Sequence, residues 1–514
     1  MAKAVMIQGT GSGAGKSLIA AALCRIFSNA GINVAPFKAQ NMALNSFITK
    51  EGGEIGRAQA LQARAARVEA SFDMNPILLK VSGEAGSQVI IHGKVHRTMK
   101  AREYYAFRTR AWKAVAESYG RLSAKRDLIV IEGAGSPAEI NLRDVDIVNM
   151  SMAKHAKAPV LLVGDIDKGG VFASLYGTVK LLGGDGRHIK AFIINKFRGD
   201  PSILAPGLDM IRQRTGKPVI GVLPYIHDIG LPEEDGLTLA NKSGVRSRES
   251  GEKAIKVVVV RLKYISNFTD FDPLAQEPDA EVRYSENPAE IERADVVIVP
   301  GSKNTVEDLL LLKKKGLDAA IRQACEKGTQ VIGICGGYQM LGARIEDPHG
   351  AESRHRRVDG IGLLDITTRF RKEKRTCLVE AEVARIADFG LRIADWKSNE
   401  TLKGYEIHMG TSTGDTGLFK VKRLTSDSAM RNPQSGIILD GSMKGNCWGT
   451  YLHGIFENDS FRRGILNGVR KRKGMPPRDT HVSYHDCQDQ ALNRLAAMVR
   501  DHIDMDYIRR MLRL

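Results

Sequence analysis

Two short stretches of this chain combine residue types at spacings that can do chemistry. Residues 9–17 read GTGSGAGKS. Glycines let the backbone wrap so that its N–H groups face phosphate oxygens, and a helix starting there adds partial positive charge. Gly11, Gly13 and Gly15 would shape such a cradle for ATP, Lys16 would reach the β/γ-phosphates, and the Ser17 hydroxyl would hold Mg²⁺. The usual pattern places glycine at position 10, where this chain has Thr10, with Gly9 one place earlier. The second stretch, GICGG at 333–337, sets Cys335 in a G-x-C-x-G turn. This is the thiol counterpart of a nucleophile elbow: a tight turn presents the side chain, and a helix start favours the thiolate. The N–H of Gly336 would face a tetrahedral oxyanion, and the loop Pro300-Gly301-Ser302-Lys303 offers a second donor at Ser302.

A nucleophilic thiol wants an imidazole to take and return protons. Of the twelve histidines, two stand out: His453, after the apolar run NCWGTYL, and His408 in GYEIHMG. At the ends of other strand-like runs lie Glu132 (LIVIE), a carboxylate placed to complete Mg²⁺ coordination opposite Ser17, and Asn195 (AFIIN), whose amide is a candidate reader of adenine.

These residues need elements to position them. Ala4–Gln8 reads as a strand, and Lys16–Phe27 carries apolar residues at helical spacing. Further strand-like runs are Asn33–Phe37, Leu128–Glu132, Val160–Val163, Ala191–Asn195 and Val219–Leu223. Helical or loop segments between them predict βαβ units and a parallel sheet. Residues 236–253 are polar and read as a linker. Strands resume at Lys256–Leu262, Asp295–Pro300 and Gln330–Ile334, then at Leu378–Val383, Gly417–Leu424 and Cys447–His453. Residues 457–514 read mostly as helix. The fold class expected is α/β, with two α/β domains at 1–235 and 254–456.

Composition bounds the function classes. The chain has 514 residues, 43% hydrophobic and 26% charged, which excludes wholesale disorder. No apolar run approaches the ~20 residues of a membrane span, and the start MAKAVMIQGTGSG reads as no signal peptide, so a cytoplasmic protein is expected. Six scattered cysteines form no CxxC pair, arguing against a disulfide scaffold or structural zinc. The net charge of +17 favours phosphates or a polycarboxylate as partners. The densest basic run, Arg470-Lys471-Arg472-Lys473 beside Arg462 and Arg463, reads as a solvated face, and no nucleic-acid-binding motif accompanies it.

GTGSGAGKS, EGAG and the strand-terminal Asn195-Lys196 resemble the dethiobiotin synthetase-like branch of P-loop ATPases, whose pattern G-T-x-x-x-x-G-K-[ST] makes Thr10 expected. GICGGYQMLG with GTYLHGIF is similar to the class I glutamine amidotransferases. That resemblance implies Cys335 as nucleophile and His453 as its base, with ammonia released from glutamine. The family's triad carboxylate falls two residues after the histidine, where this chain has Ile455; Glu406 and Glu457 are the substitutes considered. The order of the two modules, with PFKAQNMALNS, EGAGSPAEINLRD, DIDKGGVFAS, INKFRGD, PGSKNT and GYEIHMG, resembles the cobyric acid synthase family.

The implied activity is amidation of the b, d, e and g carboxylates of adenosylcobyrinic acid a,c-diamide, with ATP, Mg²⁺ and glutamine. Lys38 is the candidate for steering the substrate carboxylate, with Asn41 nearby. The implied partners are a corrinoid polycarboxylate and glutamine, with neither nucleic acid nor membrane. The rival reading is a partition-type P-loop ATPase carrying a non-catalytic amidotransferase-like domain.

Overall fold

The structure, a computed structural model, describes residues 2–81, 86–226, 229–232, 254–384, 400–424, 436–479 and 482–514. The expected linker at 236–253 lies outside them. Two compact units emerge, and neither is one continuous stretch: unit 1 is Met1–Ala43, Gly53–Leu231 and Gln488–Leu514, and unit 2 is Leu44–Gly52 with Pro232–Cys487. This differs from the sequence division at two places. Leu44–Gly52 leaves the first half to join unit 2, and the segment read as one tail from residue 457 is shared between the units.

Unit 1 is built on six parallel strands in the order Val219–Pro224, Ile189–Phe197, Val160–Asp165, Lys3–Gly9, Leu128–Glu132, Val34–Phe37. The central strands are apolar throughout because both faces are covered, as a parallel sheet requires. The helix Lys16–Asn29 buries Ile19, Leu23 and Phe27 on one face, each worth roughly 1.5–3 kcal/mol. The C-terminal helices cover the same face with Leu492, Leu495, Val499 and Ile508, and Asp489 ties them to Arg25 at 2.7 Å and Arg64 at 2.9 Å. A second, four-stranded sheet runs Gln40–Met42, Ile77–Val81, Ser87–Ile91, Lys94–Met99.

Unit 2 has a sheet ordered Ala280–Ser285, Ile255–Val260, Val296–Val299, Gln330–Ile334, Cys447–Thr450, Ser442–Lys444, parallel except for the last strand. A mostly antiparallel sheet, dominated by Leu364–Val383 against Leu402–Gly414, lies in the same unit. The basic run departs from expectation in part. Lys471, Arg472 and Lys473 are exposed, whereas Arg470 and the neighbouring Arg462 and Arg463 of the helix Asp459–Arg472 are buried, not solvated. Arg462 Nε donates to Glu277 at 2.7 Å, Arg463 pairs with Glu277 and Asp279, and Arg470 donates to Asp279 at 2.8 Å. Buried charge is tolerated only when paired in this way.

Candidate functional site

In unit 1 the phosphate loop follows the strand Lys3–Gly9 and ends at Gly15, which caps the helix Lys16–Asn29 with φ 99°. L-residues with a side chain rarely take that conformation, and here space also forbids one: a Cβ on Gly15 would lie 2.1 Å from Asn195 Nδ2. Asn195 Nδ2 donates to the Ala14 carbonyl at 2.9 Å, and Lys196 Nζ donates to Gly13 O and Asp165, each at 2.8 Å. The Asn-Lys pair thus braces the loop from the end of its own strand. Lys16 is folded back, donating to Gly11 O at 2.8 Å and Gly135 O at 3.1 Å.

Glu132, 1% exposed, is the hub beneath the loop. It accepts from Ser17 Oγ at 2.8 Å, Lys38 Nζ at 2.8 Å, Gln62 Nε2 at 2.6 Å and, at 3.4 Å, Gln59 Nε2. Asn41 Nδ2 donates to Gln59 Oε1 at 2.9 Å, which ties it into the same network. Ser17, Glu132, Lys38 and Asn41 are therefore gathered in one place. One hydroxyl and one carboxylate suit Mg²⁺, which takes its remaining ligands from phosphates and water. Among the described residues no cluster of three or more metal-ligating side chains offers a fuller cage. Burial and the nearby Glu132 carboxylate push the Cys24 thiol up, keeping it neutral. Gln59 and Gln62 went unnoticed in the sequence; they approach Glu132 only through the helix Arg57–Ala65.

In unit 2 the elbow is built by exclusion. A Cβ on Gly337 would lie 1.8 Å from Val299 O, one on Gly333 2.6 Å from the Leu341 side chain, and one on Gly336 2.9 Å from Ser302 N. Cys335 itself holds φ 53° and ψ −107°, a sparsely populated conformation that costs of order 1–3 kcal/mol and is kept only where surroundings enforce it. Its N–H donates to Thr450 O at 2.8 Å, and its thiol faces Ile407 O at 3.4 Å. The Ser302 amide is brought against the elbow at Gly336, while the Ser302 hydroxyl donates to Asp308 at 2.6 Å. The Ser302 hydroxyl is thus engaged, and its backbone N–H is the group set against the elbow.

His453 is 1% exposed, and its Nδ1 meets Asp270 Oδ2 at 2.6 Å. Burial alone would lower its pKa, but the Asp270 and Cys335 charges and the hydrogen bonds to both prevail, raising it to about 10. Its Nε2 has no hydrogen-bond partner of good geometry. The Tyr405 ring stacks on the imidazole, 5.1 Å between centroids. Asn267 directs Nδ2 toward His453 Nδ1 at 3.4 Å and accepts from Ser46 N at 3.0 Å. Phe268 N donates to Asn45 Oδ1 at 3.1 Å, so Leu44–Gly52 is part of the scaffold around the imidazole.

The carboxylate beside His453 is therefore Asp270, and the substitutes considered from sequence are corrected. Glu406 is taken by Arg423 at 2.7 Å, which with His408 holds it ionised against its burial, and Ile455 is core. His408, the competing base, stacks on Tyr451 at 3.8 Å and bonds Gly410 O at 3.0 Å. Asp270 lies 183 positions before His453, so no local spacing could reveal it. Topology does: Asp270, Ser302, Cys335 and His453 follow the carboxyl ends of the adjacent strands Ile255–Val260, Val296–Val299, Gln330–Ile334 and Cys447–Thr450. Open parallel sheets gather their sites at that edge.

Residues 5–239 match the family of the CobQ/CobB/MinD/ParA nucleotide binding domain, and residues 256–461 that of the CobB/CobQ-like glutamine amidotransferase domain. The whole chain is similar to a cobyric acid synthase of Thermodesulfovibrio yellowstonii, 47% identical with 99% of each chain covered. It is similarly close to cobyric acid synthases of Syntrophobacter fumaroxidans, 46% identical over 99% of each, and of Dehalococcoides mccartyi strain CBDB1, 48% identical over 99% of this chain and 98% of the other.

Proposed function

The chain belongs to the cobyric acid synthase family, and from that premise we propose that it amidates the b, d, e and g carboxylates of adenosylcobyrinic acid a,c-diamide to give adenosylcobyric acid. It is a glutamine-dependent, ATP-driven amide ligase of cobalamin biosynthesis. The observation that carries the catalytic reading is the 2.6 Å contact of Asp270 with His453 in the unit that holds Cys335 in its strained turn. A merely binding amidotransferase-like domain has no use for that strain or for a buried ion pair on an imidazole.

The Cys335 thiolate attacks the glutamine carboxamide carbon, and the N–H groups of Gly336 and Ser302 hold the oxyanion. His453, protonated and oriented by Asp270, gives its proton to the departing ammonia. Water then cleaves the thioester to glutamate. In unit 1 the substrate carboxylate oxygen attacks the γ-phosphorus of ATP and ADP leaves, so that a poor electrophile becomes an acyl phosphate. Ammonia attacks the acyl carbon, and phosphate departs with the oxygen it activated.

Lys16 and the loop N–H groups bind the phosphates, Asn195 sits beside the nucleotide, and Lys38 with Asn41 holds the acceptor carboxylate. Ser17 and Glu132 would hold Mg²⁺, which would neutralise phosphate charge. No described helix is long and apolar enough to cross a membrane, and a cytoplasmic location is part of the proposal.

The test is incubation with the a,c-diamide corrinoid, ATP, Mg²⁺ and glutamine, read by mass spectrometry for successive OH-to-NH₂ exchanges. Intact substrate after full turnover of a control amidase would sink the assignment.

A further inference from the structure

Residues 94–113 carry seven cations (Lys94, Arg97, Lys100, Arg102, Arg108, Arg110, Lys113) against one acid, Glu103. The phosphate chemistry assigns no role to this positive charge. The strand Lys94–Met99 exposes five of its six residues at the edge of the four-stranded sheet. The helix Ala101–Ala106 that follows buries none of its own. Only Met99 of the strand enters the core, with Tyr104 of the helix packed against it.

Between that strand and the helix Arg108–Ser123 lies an open depression of about 400 Å³. Ile91, Val95 and Phe107 give it an apolar floor, while Lys94, Arg110 and Lys113 stand on its rim with one acid, Glu117. His96 stacks on Phe107 at 5.1 Å between centroids, and the Arg110 guanidinium lies 6.0 Å over the same ring. Burial, together with the charges of Arg110 and Arg97, lowers the His96 pKa, so its ring is a neutral stacking surface at neutral pH. Its sheet has Gln40–Met42 at the opposite edge, and the Tyr104 hydroxyl, on the helix that follows the patch's strand, donates to the Gln40 side chain, next in sequence to Asn41.

We propose that this basic, aromatic-floored depression binds the corrinoid itself, its floor taking the macrocycle and its cations the peripheral carboxylates. The inference rests on the proposed function, since a corrinoid is a flat apolar ring fringed with carboxylates. An apolar floor rimmed by lysine and arginine matches that ligand, whereas ATP is already provided for by the loop at 9–17.

The experiment titrates the full-length enzyme with the a,c-diamide corrinoid by equilibrium dialysis and visible absorbance, and measures KM values by amide formation. Lys94→Glu/Arg110→Glu is expected to raise the corrinoid Kd and KM by about 10-fold or more. Lys94→Arg/Arg110→Lys retains most of the affinity, and wild-type binding weakens with salt. An unchanged corrinoid Kd in the reversed variant overturns the inference, as does an equal rise in the KM for ATP. So does retention of single-stranded RNA by wild type that saturating corrinoid fails to displace. Wild-type enzyme that binds no corrinoid would instead fail the proposed function.

Discussion

The cysteine site and the phosphate site are prepared for work in opposite ways. At Cys335 the geometry is imposed: three glycine positions leave no room for a Cβ, the nucleophile holds a strained backbone, and the imidazole is already paired with its carboxylate. At the phosphate loop the functional groups instead occupy one another. Lys16 bonds loop carbonyls, and Ser17 and Lys38 both bond Glu132. Steric strain cannot be exchanged for a ligand, but hydrogen bonds can. The first site therefore stores its geometry in the fold, while on the proposed function the second holds its groups on standby until phosphate and carboxylate replace their stand-ins.

The largest effect that sharpens this contrast is expected from Cys335→Ala. Glutamine hydrolysis should fall by about 10⁴-fold or more, the scale of losing a covalent nucleophile, while amidation driven by added ammonium persists. Glutamate release measured alongside amide formation checks it, and parallel loss of both would break the division of labour.

Asp270→Asn comes next, at about 10²–10⁴-fold on glutaminase kcat. Its pH profile carries the sign. His453 is raised to about 10, so the proton is held across neutrality and its loss lowers activity on the alkaline side. The same group contributes stability that is complete below its unfolded pKa and is lost as pH rises through about 10. Removing the carboxylate should move the alkaline limb down by about 1–3 pH units. An unmoved limb would free His453 from Asp270.

Glu132→Gln is expected to cost about 10²-fold in ATP-dependent amidation, with glutaminase nearly intact. Because Glu132 also holds Lys38, rising Mg²⁺ should recover little of the loss. Asn45→Ala should be the smallest effect, about 5-fold on glutaminase for one lost acceptor of ~1 kcal/mol. It is checked by a change in kcat with little change in the KM for glutamine, and an unaltered rate would remove Leu44–Gly52 from the scaffold around the imidazole.

What the sequence disclosed was local. The loop at 9–17 and the elbow at 333–337 are legible because each is a run of neighbours with one geometric purpose, and Leu128–Glu132 and Gln330–Ile334 emerge with the expected bounds. The order of sheet strands is not written in any window, which is why Asp270 stayed hidden. Arg462, Arg463 and Arg470 look like a surface until Glu277 and Asp279 meet them. Strands such as Lys94–Met99 escape notice because they pack so little of themselves.

The last helices have a consequence for how the molecule is made. Leu492, Leu495, Val499 and Ile508 share with the helix Lys16–Asn29 the face of the sheet that Val5 and Ile7 help to form, so that face is only partly covered until these late residues leave the ribosome. At ~5–20 residues per second, the stretch from Pro224, where the last strand of that sheet ends, to Leu492 imposes a wait of roughly 13–54 s. A nascent chain of this enzyme is thus a long-lived client for whatever shields apolar surface during translation, and a premature stop shortly before residue 488 would strand it in that condition.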